Sequence, residues 1–313
     1  SYNKSIVVLQ QNRIGRIMDN TKVIEWLNYC DQNDIKPWLW DFKNCYSSEL
    51  TADNISNFLK YKNGELVNPS TFCITKQVGS NADCDKEALP LYNVLGWQHS
   101  ERDIIRGETL NSYITTFTQA ITNDPNYKEI CKKIGVNLNE YLNKQYPILH
   151  HNKNYQNFKM IQKNLKEFEA FAKLTHTIGN FTVLPHWMNT GRYNFSKDYW
   201  DITMLSLQEW LTNLSPQAWK NFIDTYYLQP YVDNNYQTEV FWETHNYEYI
   251  YPKKTEDFSI FLKRVNERIE ERGKFIIKQI CDKLNKKDFH FYKEIENMDK
   301  IKYSNEFEQE RKQ

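Results

Sequence analysis

Between Trp97 and Ser112 the chain reads WQHSERDIIRGETLNS. On a helix, His99, Arg102, Asp103 and Arg106 stand at i, i+3, i+4 and i+7 and share one face, while Ile104 and Ile105 turn elsewhere. That face would present an imidazole, two guanidiniums and a carboxylate. Paired guanidiniums offer planar donor forks suited to a phosphate or carboxylate, and an imidazole can move a proton near neutral pH. His99, Arg102, Asp103 and Arg106 are therefore candidate catalytic residues, and Glu108 and Asn111 just beyond them are candidates to bind substrate. The same stripe also fits a solvated face, or a seam in which Arg102 and Arg106 tie to Glu101, Asp103 or Glu108. Residues Glu108 to Asn111, after Gly107, read equally as helix-start chemistry.

A second concentration of polar groups runs from Thr175 to Trp200, THTIGNFTVLPHWMNTGRYNFSKDYW. Gly179 permits a backbone angle or a close approach that a side chain forbids, and the Asn180 amide can orient another group. His176 and Asn180 join the candidate catalytic set, and Asn189 and Arg192 the candidate substrate-binding set. A hydrogen-bonded, half-buried histidine is the plainer reading of His176. His150 and His151 are adjacent, and neighbouring side chains point apart, which is poor geometry for two ligands on one metal. His245 and His290 read as surface or packing residues, and no metal ligands are assigned.

The elements that must position these residues are mostly helices. Apolar periodicity predicts them from Thr21 to Tyr29, from Leu89 through Ile105, from Leu110 to Ile121, from Tyr155 to Leu174, from Asp198 to Leu211 and from Thr255 to Leu284. Ser215-Pro216 places a capping hydroxyl before a proline at the first position of a further helix reaching about Tyr227. Thr51 can cap another. Asn63-Gly64 is a turn dipeptide, a small hairpin is expected within Val67 to Ala88, and Ile178 to Leu184, closed by Pro185, is the one run that suits a buried extended segment. The fold class expected is mainly α: a multi-helix globular body with a minor β hairpin or short extended segment.

A single helical domain is expected over residues 18–285, or two packed lobes over 18–88 and 89–285, followed by a charged, frayed tail over 286–313. Met18 opens a stretch that reads as a natural start, so residues 1–17 are expected to be an extension. With 9 Trp, 21 Tyr and 17 Phe the body can bury a large core. Forty basic side chains balance forty acidic ones, which excludes the whole-molecule footprint of a DNA-coating protein and requires a local patch for any nucleic-acid contact. Six cysteines without a C-x-x-C pair fit neither a structural zinc site nor a dense disulfide framework, so free thiols in a reducing cytoplasm are expected. No run approaches the roughly 18 apolar residues of a membrane span.

The blocks RGETLNSYITTF, THTIGNFTVLP, NFSKDYWDITML, WKNFIDTYYLQPYV and ERGKFIIKQI together resemble a family of uncharacterised cytoplasmic proteins found mainly in Gram-positive bacteria. This resemblance implies that the two polar stretches belong to one module. A shorter run, IGNFTVLP with Asn189 and Asn194-Phe195, resembles the C-terminal half of the HNH-type domain of modification-dependent restriction nucleases. Gly179, Asn180, Leu184, Asn189 and Asn194 match position by position; the upstream catalytic histidine of that domain follows an acid, whereas Pro147-Ile148-Leu149-His150-His151 lacks one.

The HNH resemblance implies a metal-assisted phosphodiesterase or nuclease, with a divalent ion as cofactor and nucleic acid as partner; a role in defence against foreign nucleic acid, as a toxin-like or phage-defence factor, is compatible with it. In that chemistry His150 or His151 would be the base, Asn189 an orienting group and Arg192 a phosphate clamp; His99 with Arg102 and Arg106 would supply another such set. The alternative is a binding or sensor protein without turnover that holds a phosphorylated ligand or a protein partner through the Arg/His face. Either way, the helix face and the Gly-Asn segment are expected to converge on one pocket.

Overall fold

The structure is a computed structural model and describes residues 20–42, 61–62, 65–66, 72–75, 84–97, 105–134, 158–185, 200–239 and 254–303. These residues are mainly helical with a minor β component. In chain order the helices are α1 Thr21–Gln32, α2 Cys84–Leu95, α3 Tyr113–Thr122, α4 Tyr127–Ile134, α5 Lys159–Lys163, α6 Leu165–Leu174, α7 Trp200–Leu214, α8 Pro216–Thr225 and α9 Thr255–Leu284. The strands are β1 Tyr61–Lys62, β2 Glu65–Leu66, β3 Ile105–Thr109 and β4 Phe181–Pro185, forming the antiparallel pairs β1–β2 and β3–β4. Among the described residues no helix is long and apolar enough to cross a membrane.

The axis of the molecule is α9, 30 residues and about 45 Å long at 1.5 Å per residue. Its stripe of Phe258, Phe261, Leu262, Val265, Ile269, Ile276 and Ile280 is fully buried, as the periodicity predicts. Against it pack α2, α6, the 3-10 turn Pro37–Leu39 and the 3-10 turn Ile178–Asn180 that leads into β4. One apolar core takes in residues from Val23 to Ile295. Because α2 runs through residues 88 and 89, the boundary between lobes expected there falls inside a helix.

Local chemistry explains several element ends. Ser215 accepts a hydrogen bond from Ala218 N at 3.0 Å with Pro216 at the first helical position, the cap expected for α8. Gly96 at φ +73° ends α2 in the left-handed conformation that favours glycine. Asn285 does the same for α9 at φ 52°. Asn164 interrupts the helix expected from Tyr155 to Leu174: its amide donates to Met160 O and splits the segment into α5 and α6.

Two expectations are corrected. The helix expected from Leu89 through Ile105 stops at Leu95, and Ile105–Thr109 is a strand, so the Arg106 end of the proposed helix face does not exist. Gly107 weakens a helix there by about 1 kcal/mol relative to alanine, and β4 pairs with all five residues of the segment in antiparallel register. The hairpin expected within Val67 to Ala88 lies largely outside the described residues; β1 and β2 pair just before it, with Asn63-Gly64 between the strands in sequence. The tail does not fray before Tyr303: Phe289, Phe291, Tyr292, Ile295 and Ile301 are buried between its charges. Asp31 caps this segment by accepting from His290 N at 2.7 Å, and Tyr292 Oη donates to Asp282 at 2.6 Å. Thr51, the proposed cap, lies outside the described residues.

Candidate functional site

The two polar stretches of the sequence, far apart along the chain, meet as the two strands of one ribbon. Ile105 stands opposite Pro185, Arg106 opposite Leu184, Gly107 opposite Val183, Glu108 opposite Thr182 and Thr109 opposite Phe181. Leu110 N then donates to Asn180 O at 2.8 Å. Beyond that point a side chain continues the pairing. Asn180 Oδ1 accepts from Asn111 N at 3.1 Å and from Asn111 Nδ2 at 3.2 Å, while Asn180 Nδ2 donates to Asn111 O at 3.0 Å and to Thr175 O at 2.8 Å.

Asn180 and Asn111 are both completely buried. With two donors and an acceptor taking two bonds, the Asn180 amide is filled by its own protein. Its role is to hold the exit of β3 against the entry of β4, which corrects its reading as a catalytic group facing substrate. His176 is likewise buried, in the turn between α6 and the 3-10 segment, and its main-chain oxygen accepts from Phe42 N at 3.0 Å.

Gly179 makes the close approach its sequence position suggests. A Cβ there would lie 1.8 Å from Ile269 O and 2.9 Å from Gly273 N, so the 3-10 turn rests directly on the backbone of α9. Gly273 makes the contact mutual: its own missing Cβ would lie 3.5 Å from Gly179 Cα.

One residue at this crossing escaped the sequence reading. Arg272 is fully buried, and its guanidinium donates from Nε to Tyr227 O at 2.9 Å, from Nη1 to Gly179 O and Phe181 O at 2.7 Å each, and from Nη2 to Tyr226 O at 2.8 Å. Its Cζ lies 5.8 Å from the centroid of the Trp97 ring, and Trp97 Nε1 donates to Thr225 O at 3.0 Å. Tyr226 and Tyr227 follow the C-terminus of α8, where exposed carbonyls and the helix dipole favour a cation. Burial lowers the guanidinium to about 10, the hydroxyls of Tyr231 and Tyr92 opposing the shift, so it remains charged at neutral pH.

The next arginine one turn earlier, Arg268, donates from Nε to Pro230 O at 2.8 Å, pairs with Glu239 at 3.2 Å and lies 4.8 Å from the Tyr303 ring centroid. Tyr231, also buried, lies beside both arginines: burial raises its phenol, while the charges of Arg272 and Arg268 lower it. The signal in the sequence was a gap. The apolar stripe of α9 steps from Ile269 to Ile276, and the core-facing turn between them is Arg272-Gly273.

Of the expected site residues, Asn111, His176 and Asn180 are fully placed, and Arg106 and Glu108 are placed on β3 by main chain alone. His99, Arg102, Asp103, Asn189 and Arg192 lie outside the described residues, as do His150, His151, His186, Asn194 and His245. His290, read as a surface residue, is exposed, with Nδ1 2.9 Å from Asp31. Thr182, opposite Glu108, buries a hydroxyl with no hydrogen-bond partner among the described residues. Among the same residues no group of three or more His, Cys, Asp and Glu is arranged to hold a metal ion. Comparison of the chain with protein-family models, with curated proteins and with solved structures finds no match.

Proposed function

We propose that the chain is a metal-assisted phosphodiesterase that cleaves foreign nucleic acid in a bacterial cytoplasm, with its reacting groups at the end of the ribbon where Ile105 pairs with Pro185. The β3–β4 register is the observation that supports this reading. Asp103 and Arg102 lie two and three residues before Ile105, and His186 and Asn189 one and four residues after Pro185, so both polar stretches join the ribbon at the same end.

In this reading Arg106, Arg102 and Arg192 bind the phosphate, and a neutral histidine, His99 or the His150-His151 pair, takes a proton from water. A divalent ion would supply charge compensation at the scissile phosphate, with Asn189 on its side. Asn180 is no ligand for such an ion, because its amide is already filled. The ribbon supplies a rigid support that orients these groups before substrate arrives.

The test is cleavage of labelled DNA and RNA by the purified chain with magnesium or manganese. Expected are strand scission that stops in chelator and returns with excess metal, and a loss of about a hundredfold or more in Arg106→Ala and His99→Ala with an unchanged thermal transition. Oligonucleotide binding that weakens with salt, ignores chelator and never leads to scission would overturn the hydrolytic reading in favour of a protein that only holds a phosphorylated ligand.

A further inference from the structure

We infer that Arg272 is the positioning residue of the β3–β4 ribbon: its guanidinium sets the place of Asn180, and through Asn180 the point where the two strands join. The inference rests on the proposed function only for its activity readout. Its structural basis is independent.

A buried arginine normally meets a carboxylate, because an uncompensated charge in the interior is costly. Arg272 meets main-chain carbonyls from two places in the fold instead. Two of them, Gly179 O and Phe181 O, belong to the residues on either side of Asn180, and both are bound by the same nitrogen, Nη1, at 2.7 Å. The other two, Tyr226 O and Tyr227 O, belong to the turn that ends α8. The guanidinium therefore bridges the entry of β4 to the end of a helix, from a residue on α9. With both flanking carbonyls held, the backbone of Asn180 is fixed where its side chain meets Asn111 and Thr175, where all four of its hydrogen bonds lie.

An apolar side chain of similar length would fill the space but leave four carbonyls without these donors, so the guanidinium serves both the geometry and the stability of the crossing. Lysine would keep the charge beside the α8 carbonyls but lacks the planar fork that holds those carbonyls and the pair flanking Asn180 at once. Arg272→Lys thus separates positioning from folding. The chain should still fold, with its ribbon released.

The experiment is amide hydrogen exchange, read by mass spectrometry, on the full chain and on Arg272→Lys, followed by the cleavage assay. Peptides covering 105–111 and 179–185 should exchange about tenfold faster or more in the variant, while α1 and the segment 289–301 keep their protection. Turnover should fall about tenfold or more with KM unchanged, as expected when bound substrate meets misplaced groups. Unchanged exchange in the ribbon, or equal acceleration in every peptide, overturns the inference, the second result marking Arg272 as a general stabiliser. A wild-type chain that cleaves nothing overturns the phosphodiesterase reading alone, because the exchange pattern still decides the role of Arg272.

Discussion

At Asn180 a side-chain carboxamide takes the place of a peptide group, accepting from one main-chain N–H and donating to the carbonyl of the same residue, Asn111. Such a group is expensive to remove, because its partners are buried and meet no water. Asn180→Ala leaves Asn111 N, Asn111 O and Thr175 O without these partners and should cost about 3 kcal/mol or more of unfolding free energy, measured by urea titration. Asn180→Asp should be similarly damaging, since a carboxylate would face two carbonyls. A loss of stability near zero combined with lost activity would return Asn180 to the reacting groups. That asparagine matters was readable from IGNF; that it matters inward required Asn111, 69 positions away, to be in place.

At the scale of elements, the decisive contact is the 3-10 turn Ile178–Asn180 resting on α9. Gly179 and Gly273 let two backbones meet with no side chain between them, and the facing atom at Gly179 is a helix carbonyl, which cannot rotate aside as a flexible side chain can. Gly179→Ala should therefore force the turn off α9, disturb the Arg272 bonds to Gly179 O and Phe181 O, and cost about 3 kcal/mol or more, read as a lowered denaturation midpoint. Gly273→Ala meets its nearest neighbours at 3.3 Å or more and should cost less, which makes it the control. A Gly179→Ala variant as stable as the parent would show that this crossing does not hold the ribbon.

Across the whole molecule the thiols report how tightly the core is closed. Cys30, Cys131 and Cys281 are buried and unbridged, and burial raises the pKa of all three, that of Cys281 to about 12. A folded-state pKa above the unfolded value means the native chain holds the proton more tightly. For Cys30 and Cys281 that contribution to stability is complete below their ordinary value of 9.0 and declines as pH rises beyond it, through about 12 for Cys281. Unfolding free energy should thus fall above about pH 9. At pH 8 these three thiols should resist a thiol reagent in the native protein and react in denaturant. Rapid native labelling of Cys281, identified by peptide mapping, would contradict a closed core around α9.

The sequence by itself determined what depends on neighbours along the chain: the helical class, the 30-residue α9, the Ser215-Pro216 cap and an extended run before Pro185, which begins at Phe181 after a 3-10 turn and not at Ile178, because periodicity and capping are local. Only the tertiary structure decided that Ile105–Thr109 is a strand, since its ladder partner lies more than seventy residues away, or that Asn285 to Tyr303 packs against the core despite its charges. It likewise decided the part played by Arg272, whose charge in an apolar stripe makes sense only where four distant carbonyls converge on it. Long-range pairing draws on groups that every residue carries, main-chain N–H and C=O, and such groups leave no mark in a sequence.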